Sequence, residues 1–227
     1  MASITGTARP RFVHASTVDV GEVLGIGANG IPLRTATVRV GSWDPPIDSG
    51  VSTHTLPLIM VDGALQRTVA VRGREGADLL GSGDLLRLDP EEGMFRTRFR
   101  ALTPCRFGIM DERVLAAAAA DPVLSSAIFD AAVHRAGMLA TQVVLAQLVA
   151  IDDRLRILFP SLAERFGRVT SEGVVLPAFL SHTVLSALVG ARRPSLTAAV
   201  ARLVDEGVLH RTPDRRWVLS PALGAVA

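Results

Sequence analysis

Forty residues, Ser181 to Ser220, constrain the fold more than any other part of the chain: SHTVLSALVGARRPSLTAAVARLVDEGVLHRTPDRRWVLS. Ser181 suits a helix N-cap, because its side-chain oxygen accepts a bond from an orphan N–H of the first turn. Leu185, Leu188 and Val189 follow as an apolar stripe at helical spacing. Gly190 stands where that helix must stop and turn, and glycine tolerates the positive φ of such a turn. Either Ser195 caps a second helix or Pro194 occupies its first turn. Leu196, Ala199, Val200 and Leu203 give the second helix one buried face. After Gly207, the runs Val208 to Arg211 and Arg216 to Leu219 alternate around Thr212-Pro213-Asp214-Arg215, a turn-forming tetrad. Helix, turn, helix and hairpin in this order make a winged helix-turn-helix.

The polar residues of this segment are placed for a nucleic-acid partner. Arg192, Arg193, Ser195, Thr197 and Arg202 lie at the start and on the open side of the second helix. In a helix-turn-helix the start of this helix points at base edges and phosphates. Arg211, Arg215 and Arg216 on the hairpin suit phosphates. Six arginines stand against Asp205, Glu206 and Asp214 in these residues, a local excess of +3. Double-stranded DNA is the expected partner.

The whole-chain charge says less. All 24 cations are arginine and there is no tyrosine, so the formal net charge of +2 persists far above neutral pH. The sequence pI of about 9.8 follows from that choice of residue. One cysteine, Cys105, excludes an intramolecular disulfide and an all-cysteine zinc or iron–sulfur site. The opening MASITGTARPRF has no apolar core of signal-peptide length, and no run reaches a membrane span. A cytoplasmic protein without a membrane partner is expected.

The rest of the chain falls into a β-rich and a helical part. Thr35 to Gly41, Leu56 to Met60, Thr68 to Val71, Phe95 to Ala101 and Cys105 to Met110 are short β-branched or alternating runs, which argue for a sandwich or small barrel. From Leu124 to Ala150 the chain reads as one helix of about 27 residues, roughly 40 Å long. It is apolar on two sides. Leu124, Ile128, Ala131, Met138, Leu145 and Leu148 form one; Phe129, Val133, Ala136, Ala140 and Val143 form the other. Two apolar faces need two partners: either the helix is enclosed by its own chain, or one face packs on the β domain and the other meets a partner helix, and the second is the expectation, a homodimer seam through Ile128, Ala131, Met138, Leu145 and Leu148. Asp152 and Asp153 interrupt the pattern, suit the N-cap of a new helix at Arg154, and mark a hinge. Pro160 is expected to kink the helix it lies in. Val169 to Pro177 forms a turn and a small strand pair. The fold class is α+β, with a β-roll or jelly-roll over 1–120, a long helix over 121–151 and a winged helix-turn-helix over 152–227.

In LAERFGRVTSEGVVLP, in Val189-Gly190 and in ARRPSLTAAVARLVDEGVL, the chain resembles the cyclic-AMP receptor / fumarate–nitrate regulator (Crp/Fnr) family of transcriptional regulators from bacteria. The match covers about residues 154 to 220; upstream it rests on the order of elements and on GSGDLL. The resemblance implies a homodimer that binds DNA, contacts RNA polymerase and senses a signal through its β domain. It implies base contacts from Arg192, Arg193, Ser195, Leu196 and Thr197, and backbone contacts from Ser181 and His182. Arg193 stands where the family places a guanine-reading arginine, whose fork bonds O6 and N7 together. Pro194 stands where the family often has Glu, and Ala198 replaces a second base-reading Arg, so the target sequence differs from that of the best-known members. The family's cyclic-nucleotide pocket uses a Gly-Glu-Leu segment and an Arg-Ser pair. Here the first is absent, and Arg96-Thr97 stand where the pair stands. Thr141 on the long helix is the third candidate for an effector.

Two other functions stand beside this one. A cupin-like β-barrel enzyme would need clustered metal ligands, whereas His14, His54, His134, His182 and His210 are scattered, with no H-x-H and no H-E-x-x-H. No G-x-x-x-x-G-K-[ST] loop and no G-x-S-x-G elbow occurs. A winged-helix protein-interaction adaptor is the other alternative.

Overall fold

The computed structural model describes residues 16–43, 56–88, 94–212 and 216–220. The chain divides into two compact units, Met1–Arg72 with Leu79–Ala136, and Gly73–Asp78 with Gly137–Ala227. The division lies inside the long helix, whereas the sequence texture changes near 121 and 152.

The β-rich part begins with β1 (Thr17–Asp19), α1 (Val20–Val23), β2 (Pro32–Val38), β3 (Gly41–Trp43), β4 (Leu58–Asp62) and β5 (Leu65–Val71). It continues through β6 (Arg74–Leu80), β7 (Leu85–Leu86), β8 (Arg96–Ala101) and β9 (Cys105–Ile109). One sheet has the order β1-β2-β9-β4-β7 and the other β3-β8-β5-β6. Strand β6 was not expected, because Gly73 and Gly76 masked its pattern. Alternate residues of both sheets turn inward. Trp43 stacks on Phe107 with ring centroids 4.9 Å apart and tilts against Phe99 at 5.5 Å. Val38, Leu58, Met60, Leu65 and Leu80 fill the space around them. A second cluster joins Val20, Leu33 and Ile59 to Met110, Val114, Ala118 and Leu124, so the first helical turns close one side of the sheet.

Two helices follow, where the sequence showed one. Asp111 caps α2 (Glu112–Ala120) by accepting from the Arg113 and Val114 N–H groups at 3.2 and 3.3 Å. An alanine run has high helix propensity but no stripe of large side chains, which is why periodicity passed over it. Asp121 then accepts from the Val123 N–H at 2.9 Å and opens α3 (Pro122–Gln147), with Pro122 in the first turn as expected. Among the described residues, no single helix is long and apolar enough to cross a membrane.

The two sides of α3 have different fates. Leu124, Ala127, Arg135 and Leu145 are buried, and Ile128, Ala131 and Met138 on the same stripe are partly buried. Arg135 donates to the Leu79 carbonyl at 3.1 Å. The opposite side is open: Phe129 is 67% exposed, Val133 53% and Val143 60%, with Ala136 and Ala140 between them. The seam assigned to Ile128, Ala131, Met138 and Leu145 is therefore corrected. Leu145 is buried and Ile128, Ala131 and Met138 are partly covered within the chain, and among the described residues the stripe left open is Phe129-Val133-Ala136-Ala140-Val143. Its 4-3-4-3 spacing is that of a coiled-coil seam. Leu148 leaves the assignment too, because α3 ends at Gln147.

The break itself spans 148–150. Helix α4 (Ile151–Phe166) has Ala150 as its N-cap, without a side-chain cap bond, so Asp152 and Asp153 lie in its first turn and do not cap it. There two carboxylates act on the helix dipole, favourable at an N-terminus. Helix α4 runs through Pro160. The expected strand pair is β10 (Arg168–Thr170) with β11 (Gly173–Val175). Helices α5 (His182–Leu188) and α6 (Arg193–Asp205) follow, then β12 (Leu209–Arg211) and β13 (Trp217–Leu219). β11 also pairs with β13, so the wing belongs to a four-stranded sheet, β10-β11-β13-β12.

Candidate nucleic-acid interface

The helix-turn-helix is held together by local signals and by long-range polar ties. Ser181 Oγ accepts from the Val184 N–H at 3.4 Å, which caps α5. Gly190 has φ +63° and ends it. Ser195 is not the cap of α6: Arg192 holds that position, and Pro194 is in the first turn. Proline has no N–H to leave orphaned and its φ is preset for a helix. Leu196, Ala199, Val200 and Leu203 are buried. The N-cap Arg192 and, on the leading half of α6, Arg193, Pro194, Ser195, Thr197 and Ala198 remain exposed, as does Ala201 one turn further on.

Around this half the structure assembles a layered cluster from three elements. The His182 ring, at the start of α5, stacks on Trp217 of β13 with centroids 5.9 Å apart and 10° between planes. Arg211 of β12 lies over the same indole, its guanidinium carbon 4.2 Å from the ring centroid, a cation–π contact. His182 Nδ1 is 3.1 Å from Thr197 Oγ1, and Thr197 Oγ1 donates to the Arg193 carbonyl at 3.0 Å. Burial, with Arg211 and Arg193 nearby, holds the His182 pKa below its ordinary 6.5, so the ring is neutral at pH 7. Ser181, His182, Arg193 and Thr197 are thus gathered by α5, α6 and the wing. Trp217 carries the stack; the sequence marked it only as a member of the alternating run Arg216 to Leu219 and gave no sign of its ring partners.

One candidate, Arg202, is placed elsewhere. Arg202 lies in the last turn of α6 and gives one guanidinium edge to Asp152, Nε to Oδ2 at 2.7 Å and Nη2 to Oδ1 at 2.6 Å. Its fork is engaged with the first turn of α4. The Arg202 hydrogen bond holds the Asp152 carboxyl below its ordinary pKa. Arg156 and Glu206 form a parallel ion pair between α4 and α6. Asp153 is exposed. Arg215 lies outside the described residues, as do His14 and His54.

Arg154, which the sequence did not single out, ties two parts of this region together. Nε and Nη2 donate to the Leu148 carbonyl at 2.8 and 2.6 Å, and Nη1 donates to the Val189 carbonyl at 2.6 Å. One guanidinium therefore joins the break after α3 to the C-terminus of α5. No local pattern marks such a residue, because its partners are set by tertiary packing.

The effector candidates do not converge. In β8 the exposure alternates, with Arg96, Arg98 and Arg100 outward and Phe99 and Ala101 buried. Successive residues of a strand point to opposite faces, so Arg96 and Thr97 diverge and cannot clasp one phosphate together. Thr141 Oγ1 bonds the Gly137 carbonyl of its own helix at 3.2 Å. Burial pushes the Cys105 thiol up to about 11, which leaves it a small buried apolar residue at neutral pH.

Comparison with solved structures places this geometry in a known fold. A CooA mutant from Carboxydothermus hydrogenoformans is similar over 93% of this chain and 94% of its own, with TM-score 0.66 and 15% identity. A cyclic nucleotide-binding domain containing protein from Listeria monocytogenes is similar over 83% and 89%, with TM-score 0.68 and 12% identity. A CRP/FNR-family transcriptional regulator from Thermus thermophilus covers 84% and 97%, with TM-score 0.58 and 18% identity. No protein-family model matches the chain, and no curated protein matches it. At these identities the likeness is one of fold, and it runs through nearly the whole chain. It bears out the α+β reading of β-roll, long helix and winged helix-turn-helix.

Proposed function

We propose that the chain is a homodimeric, sequence-specific DNA-binding transcriptional regulator of the Crp/Fnr type. The observation that carries this is the leading half of α6. It stands exposed with Arg193 at its first turn, flanked by the His182–Trp217–Arg211 stack, in a fold shared with CRP/FNR-family regulators. Such a helix enters the major groove, with the wing arginine on the phosphates. Two subunits pair through the open stripe of α3, which sets two α6 helices about 34 Å apart on a near-palindrome. A signal received by the β domain, in the cytoplasm, passes through α3 and the break at 148–150. Arg154 and the Asp152–Arg202 pair carry it on to the helix-turn-helix, from which RNA polymerase recruitment is governed.

The experiment is a selection of bound sites from random DNA, run with and without cyclic nucleotides. One enriched, two-fold symmetric site is expected. Arg193→Ala should then cost about 1–3 kcal/mol on that site and relax base choice at one position per half-site. Binding that is indifferent to sequence and lost at physiological salt would refute the reading and favour an interaction adaptor.

A further inference from the structure

Beside the exposed Ser195, the stripe of α6 made by Arg193, Pro194, Thr197, Ala198 and Ala201 is poor in hydrogen-bonding groups. Pro194, Ala198 and Ala201 have none in their side chains, and Arg193 has a full fork. The remaining member, Thr197, has a hydroxyl, and a threonine hydroxyl at a DNA-facing position is ordinarily free to bond a base edge or a phosphate. In this protein it is already used. Its single hydrogen goes to the Arg193 carbonyl at 3.0 Å. The same hydrogen cannot also serve His182 Nδ1 at 3.1 Å, so Nδ1 carries the proton and donates to Thr197 Oγ1. That tautomer leaves Nε2 as the bare nitrogen, and Nε2 is the ring atom buried without a partner. A cation at that position would face Arg193 of α6 and Arg211 of β12, the charged groups beside the ring, so the neutral tautomer is stable. The stack on Trp217 fixes the plane of the ring and hence the direction of the Nδ1 bond.

With its one hydrogen donated to Arg193 and one of its two acceptor lone pairs taken by His182, Thr197 has no donor left for thymine O4 or for guanine O6 and N7; what it still presents is its γ-methyl group and one lone pair, and of these only the methyl can read a thymine. We infer that Thr197 is a thymine-methyl reader: His182 and the Arg193 carbonyl turn its hydroxyl inward, and the methyl meets the C5-methyl group of a thymine in the major groove. Apolar contact of this kind distinguishes thymine from cytosine without any hydrogen bond. His182 is then a positioning residue, acting on the base through Thr197. The half-site is thereby assigned a guanine under Arg193 and a thymine under Thr197. The inference rests on the DNA-binding reading above and adds the chemistry of one contact to it.

The test uses the full chain and its selected duplex, with each thymine of the half-site replaced in turn by 2′-deoxyuridine. That base keeps the pairing and the O4 acceptor and lacks only the methyl. One position per half-site should weaken binding about three- to fivefold, the loss of one buried methyl contact. Thr197→Ser, which keeps the hydroxyl network, should weaken binding to the thymine duplex by the same factor and abolish the difference between thymine and uracil. Thr197→Val, which keeps a methyl, should preserve that difference. If no thymine responds, or if Thr197→Ser leaves the difference intact while Thr197→Val removes it, the hydroxyl is the reading group and the inference is overturned, with site-specific binding still standing. If the selection enriches no site at all, this inference and the DNA-binding reading fall together.

Discussion

Helix α3 offers a prediction that separates its two apolar faces. Phe129 is 67% exposed on the open side, and Leu145 is 2% exposed on the side that meets its own chain. Full burial of a phenylalanine side chain is worth about 1.5–3 kcal/mol. Covering the exposed two-thirds of Phe129 is then worth about 1–2 kcal/mol in each subunit. A two-fold seam uses the residue twice, so Phe129→Ala should weaken the dimer by about 2–4 kcal/mol. That is roughly a 30- to 700-fold rise in the dissociation constant. The folded subunit should be little affected, since the residue is on an open helix face and alanine has the better helix propensity. Leu145→Ala should do the reverse. It opens a cavity worth about 2–5 kcal/mol of folding stability and lowers Tm, with no change in the association of the folded chain. Sedimentation velocity over a dilution series gives the dissociation constant, and thermal melting gives the stability. A Phe129→Ala dimer as tight as the parent, together with a loosened Leu145→Ala dimer, would refute the reasoning and return the seam to the inward stripe.

Two further predictions concern the second unit. Asp152 is held below its ordinary pKa of 3.8 by Arg202, so the charged carboxylate contributes stability that is present above 3.8 and lost as pH falls through the lowered value. The Tm difference between the parent and Asp152→Asn should be largest near neutrality and vanish in strong acid; a difference that persists there would show the pair to be idle. Gly173 has φ +130°, and a Cβ there would lie 2.2 Å from the Leu219 carbonyl oxygen, so Gly173→Ala should destabilise the wing sheet by about 1–3 kcal/mol from backbone strain, with the clash in addition. Gly190, at φ +63° with only Arg154 Nη1 at 4.0 Å, should cost less, and equal melting of the two alanine variants would contradict this.

The winged helix-turn-helix was legible in the sequence because its determinants are short-range. Ser181, Gly190, Pro194 and the stripe from Leu196 to Leu203 act within a few residues of themselves. So do the alternating runs that became β8 and β9. Even the divergence of Arg96 and Thr97 follows from a strand's period of two, once the strand is granted. The elements that escaped notice had no contrast to show: the alanine run of α2 has no stripe, and the glycines of β6 blurred its alternation.

Other features depended on residues far apart in the chain. The sequence by itself established that α3 has two apolar faces, but both are equally apolar, so periodicity cannot say which one meets the protein. Only the fold turns Leu124, Arg135 and Leu145 inward and leaves Phe129, Val133 and Val143 open. Asp152 and Arg202 are separated by 50 residues, and Arg154 and Val189 by 35. No local preference could pair them, because a side-chain fork finds its partner only after α4, α5 and α6 have packed. The same holds for Thr197. Its place on the exposed side of α6 and the Arg193 carbonyl one turn back could be read from helical spacing, whereas the second partner of its hydroxyl is a histidine fifteen residues away, resting on an indole.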